Sequence, residues 1–326
     1  IDKKINISLT DDSPVGICKS MGIAQSSFAH AFEKLSPDIV VILGDRYEMF
    51  SVATAAMISN IPIAHLHGGE ITQGVYDDAI RHGITKMSHL HFTATNEYKN
   101  RVIQLGENPN RVFNVGGLGI DNIKKMKLLS KTDFEKSIDF KLNKKNLLVT
   151  FHPVTLEKQS SMQFQELLDA LDTLKETNIL FTYANADTNG RKINEMIEHF
   201  VAKHKSTTVS FKSLGQLRYL SALKFVDAVI GNSSSALLEA PSFKLASINI
   251  GNRQEGRLKA LSIIDCSAQR SEILEAIEQV YSIGVQESLE ETVNPYGNGG
   301  ASLKIKDYLK DSILEGILNK TFYDLK

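Results

Sequence analysis

The stretch Phe-Val-Asp-Ala-Val-Ile-Gly-Asn-Ser-Ser-Ser-Ala-Leu-Leu-Glu, residues 225–239, joins an apolar run to a turn of small residues. The run 225–230 predicts a buried parallel strand, and 231–239 predicts a turn into a helix that ends near Pro241. The N-terminus of such a helix suits a phosphate, because its N–H groups are unpaired and carry positive partial charge. A carboxylate at Glu239, about one and a half turns further on, suits the two hydroxyls of a ribose. The stretch predicts half of a nucleotide-diphosphate site or, about equally well, a capped helix with a solvated Glu239.

Strand-like apolar runs alternate with helical periodicity along most of the chain. Alternation of this kind predicts an α/β fold with parallel sheets and right-handed crossovers. A charged linker near 117–145 separates two Rossmann-like halves, and a final amphipathic helix is predicted near 302–318. The predicted strands are 39–43, 61–65, 91–95 and 112–115 in the first half and 146–151, 179–183, 207–211, 225–230 and 245–250 in the second; the first-half helices are 47–58, 77–87 and 97–105.

Composition excludes several classes of function. The 326 residues are enough for two domains, and the net charge of −1 gives no basic footprint for nucleic acid. No apolar run reaches membrane-spanning length, so neither a signal peptide nor a membrane partner is predicted. Only two cysteines, Cys18 and Cys266, are present, which argues against a disulfide framework and predicts a reducing, cytoplasmic location.

Polar and small residues follow nearly every predicted strand. In open parallel sheets, ligands bind outside the carboxyl ends of the strands, so these positions matter most. A purely structural sheet would not need polar residues at so many strand ends. The segments concerned are 44–46, 65–70, 152–153, 185–187 and 231–233.

Two acidic residues of the first half are candidates for proton transfer. An ion pair with Arg46 would keep Asp45 ionised and able to hold a substrate hydroxyl or accept a proton. The alternative is a purely structural Asp45–Arg46 pair or a helix cap. Asp77 and Arg81 lie one helical turn apart, so they belong either to the site or to a solvated surface pair.

Two residues of the second half leave similar alternatives open. His152 follows a strand and precedes a proline, where it could act as an acid, contact a phosphate or be a capped core residue. Tyr219 is as compatible with stacking on a base as with a core position.

Metal and cofactor chemistry have weak support. The histidines at 65, 67, 82, 89 and 91 suggest zinc, but no cysteine and no His-x-x-x-His helix completes a ligand set. No Gly-x-Ser-x-Gly elbow is present, and no Gly-x-Gly-x-x-Gly follows a strand. The sequence therefore predicts neither a metal nor a cofactor.

Six motifs occur in a specific order along almost the whole chain. They are Gly44-Asp45-Arg46-Tyr47-Glu48, the His-Leu-His-Gly-Gly-Glu at 65–70, the Tyr-Asp-Asp-Ala-Ile-Arg-His at 76–82, Phe151-His152-Pro153, Gly231-Asn232-Ser233-Ser234 and Gly251-Asn252-Arg253-Gln254. Together they resemble the hydrolysing UDP-N-acetylglucosamine 2-epimerases of bacterial sialic and legionaminic acid biosynthesis, the NeuC type.

The resemblance implies a GT-B architecture, with two Rossmann-like parallel-sheet domains and the active site in the interdomain cleft. The first domain would comprise 1–124 and 302–326, completed by a C-terminal crossover helix, and the nucleotide-binding domain would comprise 125–301. A homodimer or homotetramer is expected. The catalytic residues carried over are Asp45, Glu70, Asp77 and His152, and the residues that bind the substrate or UDP are Arg46, His67, Arg81, Asn185, Tyr219, Ser233, Ser234, Glu239 and Arg253.

The implied reaction eliminates UDP from a UDP-sugar and hydrates the resulting glycal, giving UDP and the free manno sugar. The sugar could be N-acetylglucosamine or its 2,4-diacetamido relative, and the nucleotide UDP or GDP. The alternatives are a GT-B glycosyltransferase that uses a UDP-sugar, a non-hydrolysing epimerase and a non-catalytic nucleotide-sugar-binding protein.

Two departures from the family pattern stand out. Many relatives carry a catalytic Glu where this chain has His67, so His67 or Glu70 is expected to cover that role. Relatives also begin with a strand and a substrate-binding Thr-Gly-Thr-Arg turn, and this first strand–helix–strand unit is expected to be missing here.

Overall fold

The computed structural model describes residues 1–7, 13–72, 75–153, 159–184 and 190–325. The chain divides into two compact units, Ile1–Asp121 with Gly299–Lys326 (unit 1) and Asn122–Asn298 (unit 2). Each unit contains a sheet in which all described strand pairs are parallel, so the predicted α/β class is confirmed.

Unit 1 is built on a four-stranded sheet in the order β1-β2-β3-β4. Its strands are β1 (Val40–Leu43), β2 (Ile63–Leu66), β3 (Leu90–Thr93) and β4 (Val112–Asn114). Its helices are α1 (Pro14–Leu35), α2 (Tyr47–Ile58), α3 (Asp77–Met87), α4 (Asn96–Gln104) and the start of α5 (Leu118–Lys125), which runs into unit 2. The predicted helices at 47–58 and 77–87 are confirmed, whereas α1 was not predicted.

The first helix, α1, has an unusual sequence pattern. It begins at a regular cap, where the Ser13 hydroxyl accepts a hydrogen bond from the Gly16 N–H at 3.1 Å and Pro14 occupies the first helical position. Its buried face includes Ser20 and Ala24, besides one large residue, Phe32. Small residues give a weak hydrophobic period, and for that reason the sequence pattern did not reveal this helix.

Unit 2 is built on a six-stranded sheet in the order β10-β9-β8-β5-β6-β7. Its strands are β5 (Lys145–Thr150), β6 (Thr177–Thr182), β7 (Thr208–Phe211), β8 (Ala228–Gly231), β9 (Ala246–Ile250) and β10 (Ile263–Cys266). Its helices are α6 (Lys131–Ile138), α7 (Ser160–Leu171), α8 (Gly190–Lys203), α9 (Gly215–Ala222), α10 (Ser234–Leu238), α11 (Arg270–Val280) and α12 (Ile283–Glu291). The structure places α6 inside the predicted linker and adds β10.

Alternate residues of β5 bury their side chains on the two faces of the unit 2 sheet. Leu147 and Val149 belong to one hydrophobic cluster, and Leu148 belongs to a second. Phe134 of α6 packs in the second cluster, so the predicted linker contributes to the core. With both faces covered, the sheet is exposed mainly at its edges and strand ends.

The C-terminal segment belongs to unit 1 and begins with α13 (Ala301–Asp311). Asp121 caps this helix by accepting hydrogen bonds from the N–H groups of Gly300, Ala301 and Ser302 at 2.6, 3.0 and 2.8 Å. The helix ends earlier than the predicted 302–318. Among the described residues, no helix combines the length and apolar character needed to cross a membrane.

Candidate functional site

The parallel register of unit 1 brings the residues after β1 and β2 together. Leu43 lies opposite Leu66, and the Gly44 N–H donates to the Leu66 carbonyl at 3.2 Å. The Gly44-Asp45 turn and the His67–Glu70 loop therefore meet at one end of the sheet, as ligand-binding strand ends do in open α/β folds.

His65 fixes this turn from within the core. Its Nε2 lies 2.9 Å from the Gly44 carbonyl and its Nδ1 lies 3.2 Å from the Thr85 hydroxyl. Burial lowers the pKa of His65 to about 3, so the ring is neutral. Because the carbonyl only accepts, Nε2 carries the proton and Nδ1 accepts from Thr85. By holding the Gly44 carbonyl, His65 supports the position of Asp45, the residue that follows Gly44.

A single buried guanidinium connects the loops of unit 1. Arg81 of α3 is 1% exposed. It donates to the Glu70 carbonyl at 2.9 Å, to the Thr72 hydroxyl at 3.0 Å and to Asp78 at 3.0 Å. It also donates to Asp45. One side chain therefore gathers the ends of β1 and β2 and the first turn of α3.

This network corrects two predicted pairs. Asp45 pairs with Arg81, whereas Arg46 pairs with Glu48 at 3.2 Å, so the predicted Asp45–Arg46 ion pair is wrong. Arg81 pairs with Asp78 rather than with Asp77, and it is buried rather than solvated. The reason is that α3 turns the face bearing Arg81 inward, where acceptors from two loops surround the guanidinium.

The carboxyl groups of this region differ in environment. Burial raises the pKa of Asp78, but hydrogen bonds from His82 and the Thr72 main chain, with the charges of His82 and Arg81, lower it overall. The side chain of Asp45 is 27% exposed. Asp77 lies at the first position of α3 and is half-buried. Three carboxylates, Asp45, Asp77 and Asp78, thus remain within reach of solvent.

His67 and Glu70 form a dyad. The His67 Nδ1 lies 2.8 Å from the Glu70 Oε1, and the Leu118 N–H donates weakly to the His67 Nε2 at 3.4 Å. Nδ1 therefore carries the proton. The side chains are 17% and 7% exposed, respectively, so the imidazole is the more accessible of the two.

The backbone of this loop is tightly constrained. His67 has a φ of 65°, in the left-handed region that few non-glycine residues adopt. At Gly69, a Cβ would lie 2.3 Å from the Tyr98 carbonyl oxygen, so only glycine fits. Arg101 donates to the Gly69 carbonyl. Left-handed residues cost free energy and persist where the surroundings hold them, as they do here.

The other histidines of the sequence cluster have separate partners. His91 contacts Glu107 at 2.9 Å, and His89 accepts from the Ile63 N–H at 3.2 Å. His82 lies 3.5 Å from Asp78. In the part of the chain that the structure describes, no three metal-binding side chains converge.

In unit 2, His152 lies two residues beyond the end of β5 and is buried. Its N–H donates to the Asn232 Oδ1 at 2.7 Å, and its carbonyl accepts from the Asn232 Nδ2 at 2.8 Å. Burial, followed by the charge of Arg253, lowers the pKa of His152 to about 3. The neutral imidazole therefore stands beside a cationic side chain.

The loop after β9 meets the same strand end. Arg253 and Gln254 donate to the Asn232 carbonyl at 3.1 and 2.7 Å. The structure thus brings together His152 and Arg253, two predicted site residues, through Asn232.

The predicted phosphate-binding helix is shorter than expected. Ser233 caps α10, its hydroxyl accepting from the Ser235 N–H at 3.4 Å, and Ser234 is the first helical residue. The α-helix spans only Ser234–Leu238 before a 3-10 turn at Ala240–Phe243. With few aligned peptides the dipole is small, so the serine hydroxyls and Arg253 matter more for an anion than the helix does.

Tyr219 and Glu239 share an environment of low polarity. Burial raises the pKa of Glu239 despite a hydrogen bond with Ser235. Burial and the charge of Glu239 together raise the pKa of Tyr219, whose ring packs partly buried against the hydrophobic cluster of Leu220. Glu239 is therefore not the solvated residue of the alternative prediction, and the Tyr219 ring packs against the core. Asn185 lies outside the described residues.

Sequence reasoning did not assign four residues that the structure places in these networks. Thr72 and Asp78 bind Arg81, Asn232 binds both His152 and Arg253, and Gln254 donates to Asn232. Asp78, Asn232 and Gln254 stand inside quoted motifs, so motif membership was the available signal for them, whereas Thr72 lies outside every quoted motif.

Comparison with known proteins agrees with the predicted family. The family described as UDP-N-acetylglucosamine 2-epimerase matches residues 1–310. The chain is 48% identical over its whole length, and over 85% of the relative, to the Campylobacter jejuni protein named GDP/UDP-N,N'-diacetylbacillosamine 2-epimerase (hydrolyzing). It is 41% identical over its whole length, and over 83% of the relative, to the Escherichia coli polysialic acid biosynthesis protein P7.

A solved structure supports the fold. The UDP-GlcNAc 2-epimerase from Neisseria meningitidis, bound to UDP-GlcNAc, aligns with 94% of this chain and 84% of its own at 20% identity and a TM-score of 0.79. The predicted GT-B class and the predicted membership among hydrolysing 2-epimerases are confirmed. With a family match along nearly its full length and a relative at 48% identity, the chain belongs to the UDP-N-acetylglucosamine 2-epimerase family.

Proposed function

We propose that this protein is a hydrolysing 2-epimerase that converts a UDP-linked 2-acetamido sugar into UDP and the free manno sugar. Two donors are supported: UDP-N-acetylglucosamine by the family description, and UDP-N,N'-diacetylbacillosamine by the name of the Campylobacter jejuni relative. The same name makes the GDP-linked sugar a third donor to test.

The observation that carries the proposal is the Arg81 network. It holds Asp45 and Asp78 at the ends of two neighbouring elements, while the His67–Glu70 dyad stands beside them. Removing a proton from a sugar carbon and returning one requires positioned acid–base groups, and rigid placement is what makes such groups efficient. Buried Arg81 contributes by positioning these groups, a different task from the substrate contact that the family resemblance implies.

In unit 1, we assign the proton transfers to accessible groups. Asp45 and Asp77 are the carboxylate candidates, because both are accessible and the family resemblance implies a catalytic role for them. At the position where the family resemblance implies a Glu, His67 presents its imidazole. Glu70 orients that imidazole, since Glu70 accepts the Nδ1 hydrogen bond and is the more buried partner. The Leu118 contact at 3.4 Å is long enough to be given up when the His67 Nε2 takes a proton.

We assign the binding of the nucleotide to residues of unit 2. Ser233, Ser234 and Arg253 hold the diphosphate, because they place two hydroxyls and a cation around one strand end. His152, neutral beside Arg253, donates to a phosphate oxygen or moves a proton. The remaining nucleotide-sugar contacts proposed are Arg46 from unit 1 and Asn185, Tyr219 and Glu239 from unit 2.

The proposed reaction has two steps, an elimination and a hydration. A base takes the proton from C2 while the C1–O bond breaks and its electron pair leaves with UDP, forming the glycal. The cations and hydroxyls that face the diphosphate stabilise the developing charge. Water then adds its hydroxyl to C1 and a proton is delivered to C2 on the opposite face, which gives the manno sugar.

Isotope labelling tests this reaction. Each of the three donors is incubated with the protein in D₂O and, separately, in ¹⁸O-water, and the nucleotide and sugar are analysed by mass spectrometry. We expect free UDP from at least one donor, deuterium at C2 and ¹⁸O at C1 of the sugar.

Other outcomes identify the alternatives. A product that keeps its C2 proton ends the epimerase assignment, and ¹⁸O on the phosphate indicates pyrophosphatase chemistry. Binding without release of UDP indicates a nucleotide-sugar-binding protein.

We further propose a homodimer or homotetramer in the cytoplasm. Two free cysteines, one of them exposed, suit a reducing compartment. Closed symmetric assemblies are the commonest oligomers of soluble enzymes. Light scattering of the purified protein gives the mass, and a monomer contradicts this proposal.

A further inference from the structure

Asn232 occupies the centre of the unit 2 network and has no role in the assignment above. It follows β8 directly and is 1% exposed. Its side chain and its main-chain carbonyl bind different neighbours, and each neighbour belongs to a different strand end. This arrangement makes Asn232 a candidate for holding the site together.

The side-chain amide of Asn232 continues the hydrogen bonding between β5 and β8 beyond the last residue pair of the two strands. The β5–β8 ladder ends at the pair Thr150–Gly231. Beyond it, the amide of Asn232 accepts from the His152 N–H at 2.7 Å and donates to the His152 carbonyl at 2.8 Å. Buried main-chain groups require partners, and here one side chain satisfies both groups of His152.

The main-chain carbonyl of Asn232 binds the loop after β9. Arg253 donates to it at 3.1 Å and Gln254 at 2.7 Å, and Gln254 is fully buried. The position of this carbonyl is set by Gly231, whose φ is 136° and where a Cβ would lie 1.9 Å from the Thr150 oxygen. The carbonyl therefore has little freedom to move.

We infer that Asn232 is a positioning residue that holds His152 and Arg253 in one rigid frame. The inference rests on the proposed function for the roles of those two residues. The group proposed to move a proton and the cation proposed to hold the diphosphate are then set by the same residue. An error of about 1 Å in such a group can cost about 10²-fold in rate.

The chain offers a matched control near the start of β5, the strand that precedes His152. Asn146 of β5 is buried, and its amide accepts from the Asn143 N–H at 2.9 Å and donates to the Asn143 carbonyl at 3.0 Å. The local geometry is that of Asn232 with His152. Because Asn146 lies near the start of β5 and His152 lies beyond its end, the loss of Asn146 removes the same kind of bond away from the site.

The kinetic test compares Asn232→Ala with Asn146→Ala. We expect Asn232→Ala to lower kcat by about 10²-fold with KM changed by less than about threefold, since the carbonyl that binds Arg253 remains. Asn146→Ala should keep kcat within about threefold of the wild type, while lowering Tm by about as much as Asn232→Ala does. If Asn232→Ala does not fold, Asn232→Asp, which keeps the volume but faces the His152 carbonyl with an oxygen, replaces it with the same expectation. Equal kcat losses at the two positions would overturn the inference.

A spectroscopic test decides the point without turnover. Selective ¹⁵N labelling of the 9 histidines gives few amide signals, and His152→Gln identifies that of residue 152. We expect its amide to be protected from hydrogen exchange in the wild type and in Asn146→Ala, and to lose protection in Asn232→Ala. Unchanged protection in Asn232→Ala overturns the inference. A wild type that releases no UDP contradicts the proposed function alone, because the amide measurement still decides the role of Asn232.

Discussion

Arg81→Met removes the guanidinium at the centre of unit 1 and keeps most of its volume. The variant loses four hydrogen bonds, to the Glu70 carbonyl, the Thr72 hydroxyl, Asp78 and Asp45. Because methionine fills a similar space, the loss reports on these polar contacts and not on a cavity.

The expected cost follows from the acceptors. Two bonds to neutral groups contribute about 1 kcal/mol each. The bonds to Asp78 and Asp45 are charge-assisted, but these side chains are 33% and 27% exposed, so water screens them and about 1 kcal/mol each is a fair value. We therefore expect unit 1 to lose about 4 kcal/mol.

Hydrogen exchange followed by mass spectrometry in increasing urea measures this loss. The chain has no tryptophan, so tryptophan fluorescence cannot follow its unfolding. Hydrogen exchange also distinguishes the two units, since peptides from Ile1–Asp121 are separated from those of Asn122–Asn298. The control is Arg101→Met, which removes bonds to the Gly69 carbonyl and to Glu97, a side chain 46% exposed. We expect about 1 kcal/mol for the control.

The comparison has a clear negative outcome. If Arg81→Met destabilises the Ile1–Asp121 peptides no more than Arg101→Met does, then Arg81 does not organise the loops, and the assignment of Asp45 loses its support. A loss in unit 2 peptides alone would contradict the argument equally.

Four further predictions concern other parts of the chain. Gly231→Ala places a Cβ 1.9 Å from the Thr150 oxygen, so it should lower Tm by several degrees and reduce UDP release. The control Gly284→Ala, whose Cβ would have nothing within 4 Å, should leave both Tm and UDP release near the wild type. Equal behaviour of the two variants would refute the close-approach argument. Burial lowers the pKa of His65 from 6.5 to about 3, so its contribution to stability is present above pH 6.5 and is lost as the pH falls towards 3. His65→Gln should therefore flatten the dependence of the unfolding free energy on pH between these values. An unchanged slope argues against a neutral His65. Asp45→Asn and Asp77→Asn should each lower kcat by at least ~10² with the circular dichroism spectrum retained, and near-normal turnover in both removes them from the mechanism. Activity should survive EDTA and need no added NAD; loss on chelation that one divalent metal restores would show that the histidine cluster was misinterpreted.

Much of the fold was predictable because buried parallel strands have a plain signature. The strands β5 and β8 carry apolar side chains towards both faces, so a continuous apolar run marks them. The edge strand β10 is only partly buried and includes Asp265, so it lacks that signature. The helix α6 was taken for linker because Phe134 and Ile138 are its only buried residues among charged neighbours.

The candidate site was predictable in its residue types but not in its pairs. Motif order identified the segments at the strand ends, and the structure brings the segments of each unit together. The predicted partners of Asp45 and Arg81 were sequence neighbours, because sequence spacing can suggest only local contacts. The weak dipole of α10 was also hidden, since the sequence does not show that the α-helix stops at Leu238.

The sequence by itself determined nine of the ten described strands, several of the helices, the polar residues after most strands and the family, since these depend on local pattern and on motifs. Only the tertiary structure decided which groups pair. Arg81 meets Asp45 across 36 residues, and His152 meets Asn232 across 80. Such pairs form because parallel strands align their carboxyl ends, and because an unpaired polar group is costly where exposure to water is low. The choice of partner depends on distances in space, which no spacing along the chain expresses.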